Sequence, residues 1–330
     1  MSLELSYPRL LADVGGTNVR FALIRAPGAA IGEERNLACA DFPGLYEAAR
    51  AYLDPLGAAP RWAAIGIATA IAGDAIKMTN NHWAFSQAEL KAQLGLDELA
   101  VINDFTALAL SLPLLTDAEL VKIGGGERNP DLPIALLGAG TGLGVSGLIP
   151  AHLPGEPQRW VPLQGEGGHV SFSPFNDRED EILRILRREF GHVSAERLLS
   201  GPGVVKLHQA LAELDGRPLD ALSAAEITRR GVDGDPLCRE VVDTFCGMLG
   251  TAAANLAITL GARGGLYIGG GIVPKLGDYF ATSPFRRRFE QKGRFSNYLA
   301  AVPSFVIVAN NPALRGTAAA LDALAVRRGL

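Results

Sequence analysis

Residues 10–24 read LLADVGGTNVRFALI: two apolar runs separated by Gly15, Gly16, Thr17 and Asn18, with one acid, Asp13, just ahead of the turn. The pattern predicts two strands joined by a glycine-rich hairpin. Residues 31–40 suit a third strand, and residues 45–53 a helix opened by Pro43 and Gly44. Residues 62–70 are apolar almost throughout, as in a strand buried on both faces of a parallel sheet. Ser86 followed three positions later by Glu89 has the form of a capping box and predicts a helix start. A short strand at 99–102 ends in Asn103 and Asp104; a helix over 105–112 follows, limited by Pro113. The order βββαβαβ is that of an α/β protein.

From Pro133 the pattern begins again. Residues 136–149 read LLGAGTGLGVSGLI, an echo of the first hairpin shifted by 125 positions. Leu11/Leu136, Gly15/Gly140, Leu23/Leu148 and Ile24/Ile149 coincide. On these residues alone two readings stay open: chance similarity of two apolar hairpins, or a duplicated unit that grips phosphates from two sides. Helices are predicted over 179–190, over 194–199 with an end at Gly201 and Pro202, over 224–230, and over 237–260. The last uses Ala252, Ala253, Ala254 and Ala257 for close packing. Strands at 264–268 and 305–308 and a helix at 314–327 complete the chain, and no stretch has the composition of a linker.

A length of 330 residues suggests about two domains, and 48% hydrophobic content is enough to fill their cores. A formal charge of −4 argues against a broad nucleic-acid surface. The one basic concentration, Arg286, Arg287, Arg288, Lys292 and Arg294, is interrupted by Glu290 and is expected to be a solvated helix face. Cys39, Cys238 and Cys246 have no metal-ligand or disulfide-framework spacing and fit a reducing cytosol. Glu4 lies early, with no basic region before an apolar stretch, so no targeting segment is expected. Residues 133–155 carry no Asp, Glu, Lys or Arg over a membrane-spanning length. Gly138, Gly140, Gly142, Gly144 and Gly147 crowd that stretch and Pro150 and Pro154 break its end, so a strand–turn–strand is expected instead.

Chemistry concentrates at a few turns. Gly15 and Gly16 are expected to permit positive φ and to remove Cβ atoms, so that N–H groups and the Thr17 hydroxyl reach phosphate oxygens. Asp13 then sits where a hydrated Mg²⁺ would lie. The alternative is a tight hairpin whose Asp13 and Asn18 satisfy the turn. Asn103 and Asp104 end a strand at the sheet edge where α/β proteins bind ligands; Asp104 is placed to take a proton from a substrate hydroxyl, or else merely caps the next helix. Glu166 lies among glycines, His169 heads the strand-like run 170–172, and Glu196 falls in the first turn of a helix. Singly these are a turn carboxylate, a structural histidine and a dipole-favoured acid. Together they are dense enough in donors and acceptors to encircle a polyhydroxylated molecule, and phosphate-gripping turns beside such a cage suggest phosphoryl transfer to a sugar.

Several segments extend that reading: ADVGGTNVRFAL, MTNNHWAFS, VINDFTALAL, GAGTGLGV, LQGEGGHVSF, GHVSAERLLSGPG, GGGIVP, FEQKGRF and NNPALRGTAA. In this order the chain resembles bacterial glucokinases of the non-ROK group, within the sugar kinase/actin/heat-shock ATPase superfamily. The resemblance implies an α/β fold of two ribonuclease-H-like (actin-like ATPase) domains flanking a cleft, with residues 1–112 plus 303–330 in the small domain and 113–302 in the large one. It implies that Ala12, Asp13, Val14, Gly15, Gly16, Thr17 and Asn18 form the first phosphate loop and Gly138, Gly140, Thr141 and Gly142 the second. Gly269, Gly270 and Gly271 would form the adenosine-side turn. Asn103, Asp104, Glu166, His169 and Glu196 match the glucose-contacting positions, with Asp104 the base toward the 6-hydroxyl. Thr79, Asn80 and Trp83 lie in a motif beside the sugar and take no assigned chemistry.

Two departures are small: Ala12 replaces a common glycine and Gln164 a familiar proline. The implied cofactors are ATP and Mg²⁺, the latter held by Asp13 through water. The implied partners are glucose and a second copy of the chain, with no nucleic acid and no membrane, in the cytoplasm. Three alternatives remain. A kinase for another hexose or an amino sugar is one, although the cysteine-rich zinc loop of ROK kinases is not found. A non-enzymatic sugar-responsive regulator needs a helix-turn-helix ahead of the first loop, for which residues 1–9 are too few. A structural protein of the actin kind would not need the polyol set.

Overall fold

The computed structural model describes residues 6–152, 155 and 158–328. Glu4 and Pro154, on which two of the expectations above lean, lie outside the described residues. In chain order the elements are β1 (Arg9–Val14), β2 (Asn18–Ile24), β3 (Gly32–Ala38), α1 (Leu45–Leu53), β4 (Trp62–Ile67), β5 (Ala75–Lys77), β6 (Ala84–Ser86), α2 (Gln87–Gln93), β7 (Glu98–Asn103) and α3 (Asp104–Ser111). Then come β8 (Leu120–Gly124), β9 (Ile134–Ala139), β10 (Leu143–Ala151), β11 (Arg159–Pro162), α4 (Asp177–Glu189), α5 (Ala195–Leu198), α6 (Gly201–Leu214), α7 (Ala224–Asp233) and α8 (Pro236–Leu260). The chain finishes with β12 (Gly265–Gly269), α9 (Asp278–Thr282), α10 (Phe285–Glu290), α11 (Ser296–Ala300), β13 (Ser304–Ile307) and α12 (Pro312–Arg327). Two compact units result: residues up to Leu115 together with those from Ala309 onward, and Thr116–Val308.

The first unit holds a five-stranded sheet in the order β3-β2-β1-β4-β7. β1 pairs antiparallel with β2 and parallel with β4, and β4 runs parallel to β7. Alternation along β1 sends Leu10, Ala12 and Val14 into a core with Leu45, Tyr52 and Leu53 of α1, while Leu11 points to the other face, against Leu314 and Leu321 of α12. β4 is buried along its whole length, as its continuous apolar run requires. It stops at Ile67, three residues short of the expected end, because the chain turns there toward the small β5–β6 hairpin that the hydrophobic pattern does not predict. α12 meets α3 so closely that a Cβ on Gly316 would lie 1.6 Å from the Ala107 carbonyl oxygen. Ser86 caps α2 by accepting the Glu89 N–H at 3.1 Å, and its hydroxyl donates to Asp74.

The second unit is built on a six-stranded sheet, β11-β10-β9-β12-β13-β8. Its first five strands repeat the order and directions of the first unit, with β10 antiparallel to β9 and β11, and β12 parallel to β9 and β13; β8 adds an antiparallel edge. This is the ribonuclease-H-like arrangement twice over. The stretch around 133–152 is the β9–β10 hairpin, as expected. Among the described residues α8 is the one helix long and apolar enough to cross a membrane by length and composition, and 67% of its most apolar window is buried. Phe245, Leu249, Ala253 and Ala257 lie in the core of the unit. Its closest approach to α10 depends on glycine rather than alanine: a Cβ on Gly250 would lie 2.5 Å from the Phe285 carbonyl oxygen.

Two expectations are corrected here. Gly201 and Pro202 do not merely end a short helix; they begin α6, whose N-cap Ser200 accepts the Gly203 N–H at 3.1 Å. Proline is tolerated in a first helical turn, where its missing N–H had no partner to lose. The basic run at 286–294 is a solvated face only in part. Arg288, with a side chain 13% exposed, donates to Glu179 at 2.6 Å, and Arg286 donates to the carbonyls of Val302 and Ala300, each at 2.9 Å. Of the four arginines in the run, Arg287 and Arg294 are exposed. Cys39, Cys238 and Cys246 are buried free thiols.

Candidate active site

In the first unit, β1 carries the chain to the turn with Asp13 in register opposite Arg20 of β2. The Arg20 guanidinium lies 3.9 Å from the carboxylate, whose side chain is 26% exposed. Burial pushes the Asp13 carboxyl above the ordinary carboxylate range, and Arg20 opposes that shift. Backbone bonds close the turn: Gly15 N–H donates to Asn18 O at 2.9 Å, and Cys39 N–H to Thr17 O at 2.8 Å. Neither Gly15 nor Gly16 has a positive φ, contrary to expectation. Glycine serves close approach instead, since a Cβ on Gly16 would lie 3.0 Å from both Cβ and O of Asn80. Among the described residues no group of three or more His, Cys, Asp or Glu side chains could cage a metal. A single carboxylate at a strand end does suit hydrated Mg²⁺, which keeps several waters and takes phosphate oxygens as further ligands.

In the second unit, β9 leads into the turn Gly140–Thr141–Gly142, closed by Gly140 N–H donating to Gly142 O at 2.8 Å. Gly138 pairs with Gly269 of the parallel neighbour, and a Cβ there would lie 2.5 Å from the Gly269 carbonyl carbon. Gly270, at φ +80°, fits against Ala139, whose O would lie 2.3 Å from an added Cβ. This interlock brings Gly140 and Thr141 to one side of a cavity of about 980 Å³ and Gly271 to another. Gly201 and Pro202 at the start of α6, Thr228, Arg229 and Asp233 on α7, and Lys275 also line it. The size is that of a small-molecule or cofactor site. Sequence reasoning found the glycines but not the part that α6, α7 and Lys275 take in the cavity, because a helix face lining a pocket has the same apolar periodicity as one lining a core.

The expected sugar residues fall in both units. In the first, Asn103 ends β7 and is itself the N-cap of α3: its Oδ1 accepts the N–H groups of Phe105 at 2.9 Å and Thr106 at 3.3 Å. Asp104 is therefore not the cap but the first helical residue, with Oδ1 accepting Phe105 N–H at 2.8 Å. Thr69 and Thr79 share a hydroxyl contact of 3.1 Å, and the Trp83 indole donates to Phe42 O at 3.1 Å, so that motif stiffens the neighbouring loops.

In the second unit, Gly167–His169 forms a 3₁₀ turn, and the run after it makes only an isolated bridge, Ser171 with Ser194. The strand-like expectation for 170–172 fails because the segment leans on the loop before α5 rather than on a sheet. His169, with a side chain 61% exposed, lies 4.0 Å from Glu166 Oε2 through Nε2 and 4.0 Å from Glu196 Oε1 through Nδ1. Glu196 follows the N-cap Ser194 of α5, and its Oε2 accepts Leu143 N–H at 3.0 Å. Glu166, His169 and Glu196 thus form one open cluster of acceptors around an imidazole, the kind of group that binds vicinal hydroxyls.

A sheet of this topology occurring twice, each copy with a glycine turn after its first strand, defines the actin-like ATPase class, and the polar cluster points to its sugar-kinase branch. The glucokinase family model matches residues 10–324. A glucokinase of Aromatoleum aromaticum is 54% identical over 320 residues, 96% of this chain and 95% of that protein. The "Bifunctional protein glk" of Paraburkholderia xenovorans is 52% identical across 95% of this chain, which spans 49% of that longer protein. The crystal structure of a glucokinase from an Antarctic psychrotroph superposes with a TM-score of 0.85 at 37% identity, covering 96% of this chain and 99% of that one. The chain belongs to the glucokinase family.

Proposed function

We propose that the protein transfers the terminal phosphoryl group of ATP to O6 of D-glucose, giving glucose 6-phosphate and ADP and leading into glycolysis. The observation that carries this reading is the family match across residues 10–324. Asp104 is the general base. Its hydrogen bond to Phe105 N–H, at 2.8 Å, orients the carboxylate at the start of α3. In a loose phosphoryl-transfer transition state the base need only orient the 6-hydroxyl and take its proton late. Asn103, Glu166, His169 and Glu196 hold the sugar hydroxyls, and most of the acceleration comes from positioning.

The segment Ala12 to Asn18 and the turn Gly140–Thr141–Gly142 donate to phosphate oxygens, with the adenosine in the cavity beside Gly271. Asp13 would hold hydrated Mg²⁺ through water, and that ion would supply charge neutralisation on the phosphates. A homodimer in the cytoplasm completes the proposal; the three buried free thiols agree with a reducing compartment. A kinase for another hexose and a non-enzymatic regulator are not favoured.

The test is a coupled assay of glucose, mannose, fructose and N-acetylglucosamine, with ATP and with polyphosphate, on the native protein and on Asp104→Asn. Glucose with ATP is expected to be the preferred pair. Asp104→Asn is expected to lower kcat by roughly 10²–10⁴ with little change in glucose affinity; near-normal turnover overturns the assignment. Sedimentation of the native protein tests the dimer.

A further inference from the structure

We infer that Glu196 couples sugar binding to the state of the second phosphate turn, so that glucose and nucleotide raise each other's affinity. The inference rests on the proposed sugar and nucleotide sites and adds a link between them. The two oxygens of this carboxylate serve different elements. Oε2 accepts Leu143 N–H at 3.0 Å, at the residue that immediately follows the Gly140–Thr141–Gly142 turn. Oε1 faces His169 Nδ1 at 4.0 Å, longer than a hydrogen bond and short enough for an arriving hydroxyl to engage.

The fit on the turn side is tight. A Cβ on Gly142 would lie 2.4 Å from Glu196 Oε2 and 3.2 Å from its Cδ. Gly142 has no positive φ, so glycine is required there for the carboxylate and not for the backbone. The junction between α5 and α6 also touches the same turn. Ser200 Oγ donates to Glu196 O at 2.8 Å, and Gly201 N–H donates to Gly140 O at 2.8 Å. On the sugar side, Ala195 N–H donates to Val170 O at 2.9 Å, beside His169. Hydrogen bonds therefore join the phosphate turn, the α5 segment and the His169 loop, with Glu196 at their junction.

The sign follows from charge. A carboxylate anchored on the N–H that follows the turn repels incoming phosphate oxygens. Sugar hydroxyls and His169 donating to that carboxylate disperse its charge and draw it away from the turn, so bound glucose makes the turn a better phosphate site. Linkage makes the effect reciprocal, with the same factor in both directions.

The experiment is isothermal titration of the intact protein with glucose and with a non-hydrolysable ATP analogue, each alone and each in the presence of the other. The native protein is expected to show about fivefold or greater mutual tightening. Gly142→Ala, which puts a methyl group where Glu196 Oε2 lies, is expected to weaken glucose binding about tenfold without nucleotide present. In a Glu196→Ala background Gly142→Ala is expected to have no further effect on glucose. Glu196→Asp, too short to span both elements, is expected to lose the mutual tightening and serves if Gly142→Ala does not fold.

An unchanged glucose affinity in folded Gly142→Ala overturns the inference. So does an equal loss in the Glu196→Ala background, or full mutual tightening in Glu196→Asp. Glucose binding unaltered in Glu196→Ala would instead overturn the sugar-site reading itself, so the two failures are distinguishable.

Discussion

The two glycine hairpins occupy the same place in two sheets of the same topology, yet they are built to different ends. In the β1–β2 hairpin, Asp13 pairs with Arg20; in the β9–β10 hairpin the corresponding pair is Gly138 with Gly144. The first turn thus carries its own carboxylate and cation. The second is bare, and borrows its carboxylate, Glu196, from a helix. Glycine differs in purpose as well. Gly16 makes room for Asn80 of the same unit's loop, whereas Gly138 lets two parallel strands close on each other at Gly269. Under the proposed function the duplicated scaffold is divided between a charged jaw that would serve a metal and a neutral jaw that would offer its backbone to a nucleotide.

The sequence echo between the hairpins is only half of what it suggested. Val14 pairs with Val19, while Ala139, 125 positions after Val14, pairs with Leu143, 124 positions after Val19. The second turn is one residue shorter. Leu23 and Ile24 therefore correspond to Gly147 and Leu148, and the identities with Leu148 and Ile149 are one residue out of register, on the opposite face. The duplication is real in topology, and two of its four sequence coincidences are accidental.

If the bare jaw depends on strand closure, its largest weakness is Gly138. Gly138→Ala must push β9 off β12 at backbone atoms that cannot yield, and the expected loss is about 3 kcal/mol of stability, read as a lowered Tm. A Tm within a degree or so of native would show that the interlock is not needed. The charged jaw should fail differently. Asp13→Asn keeps the shape and removes a charge that is costly to bury, so its stability is expected to hold or rise without metal. Its Mg²⁺ requirement should rise roughly 10–100-fold in a metal titration of activity, the range for a ligand acting through a metal's outer shell. An unchanged titration refutes the metal role. Gly16→Ala falls below both. Its Cβ contacts at 3.0 Å are tight rather than impossible and its φ is ordinary, so about 1 kcal/mol of stability and a modest rise in KM for ATP are expected. No measurable change in either would show that the Asn80 contact is slack.

What could be read from the chain divides along the same line of local against distant causes. β4 announced itself by an unbroken apolar run, and the family by ordered motifs, because both are written in neighbouring residues. The role of Gly16 was not legible, since Asn80 reaches it from a distant loop. Arg286 and Arg288 looked like a solvated face because their acceptors, Glu179 and the carbonyls of Val302 and Ala300, are remote in sequence or belong to the backbone. Gly201 and Pro202 carry a stop and a start signal at once, and only the capping bond from Gly203 N–H to Ser200 Oγ tells which applies. Asn103 and Asp104 read from the sequence as a strand end meeting a helix start, and the structure has them so. Which of the two caps the helix depended on a single rotamer, which spacing does not encode.

The smallest expected effect lies at Gly140, and it is the sharpest check on the division between jaws. Gly140 has no positive φ, and a Cβ there would come no closer than 3.9 Å, to Gly271 N. Nothing within the folded chain requires glycine at this position, in contrast to Gly138 two residues earlier. Gly140→Ala is therefore expected to leave stability within about 0.5 kcal/mol of native by denaturant titration. Yet Gly140 lines the cavity proposed for the nucleotide, and an added methyl group projects toward Gly271 across it. A raised KM for ATP, with native stability and native glucose affinity, would show that glycine is kept here for the ligand's approach alone. Loss of stability instead would mean that the second turn, like the strand before it, is held by packing, and the contrast between a closing Gly138 and a receiving Gly140 would fail.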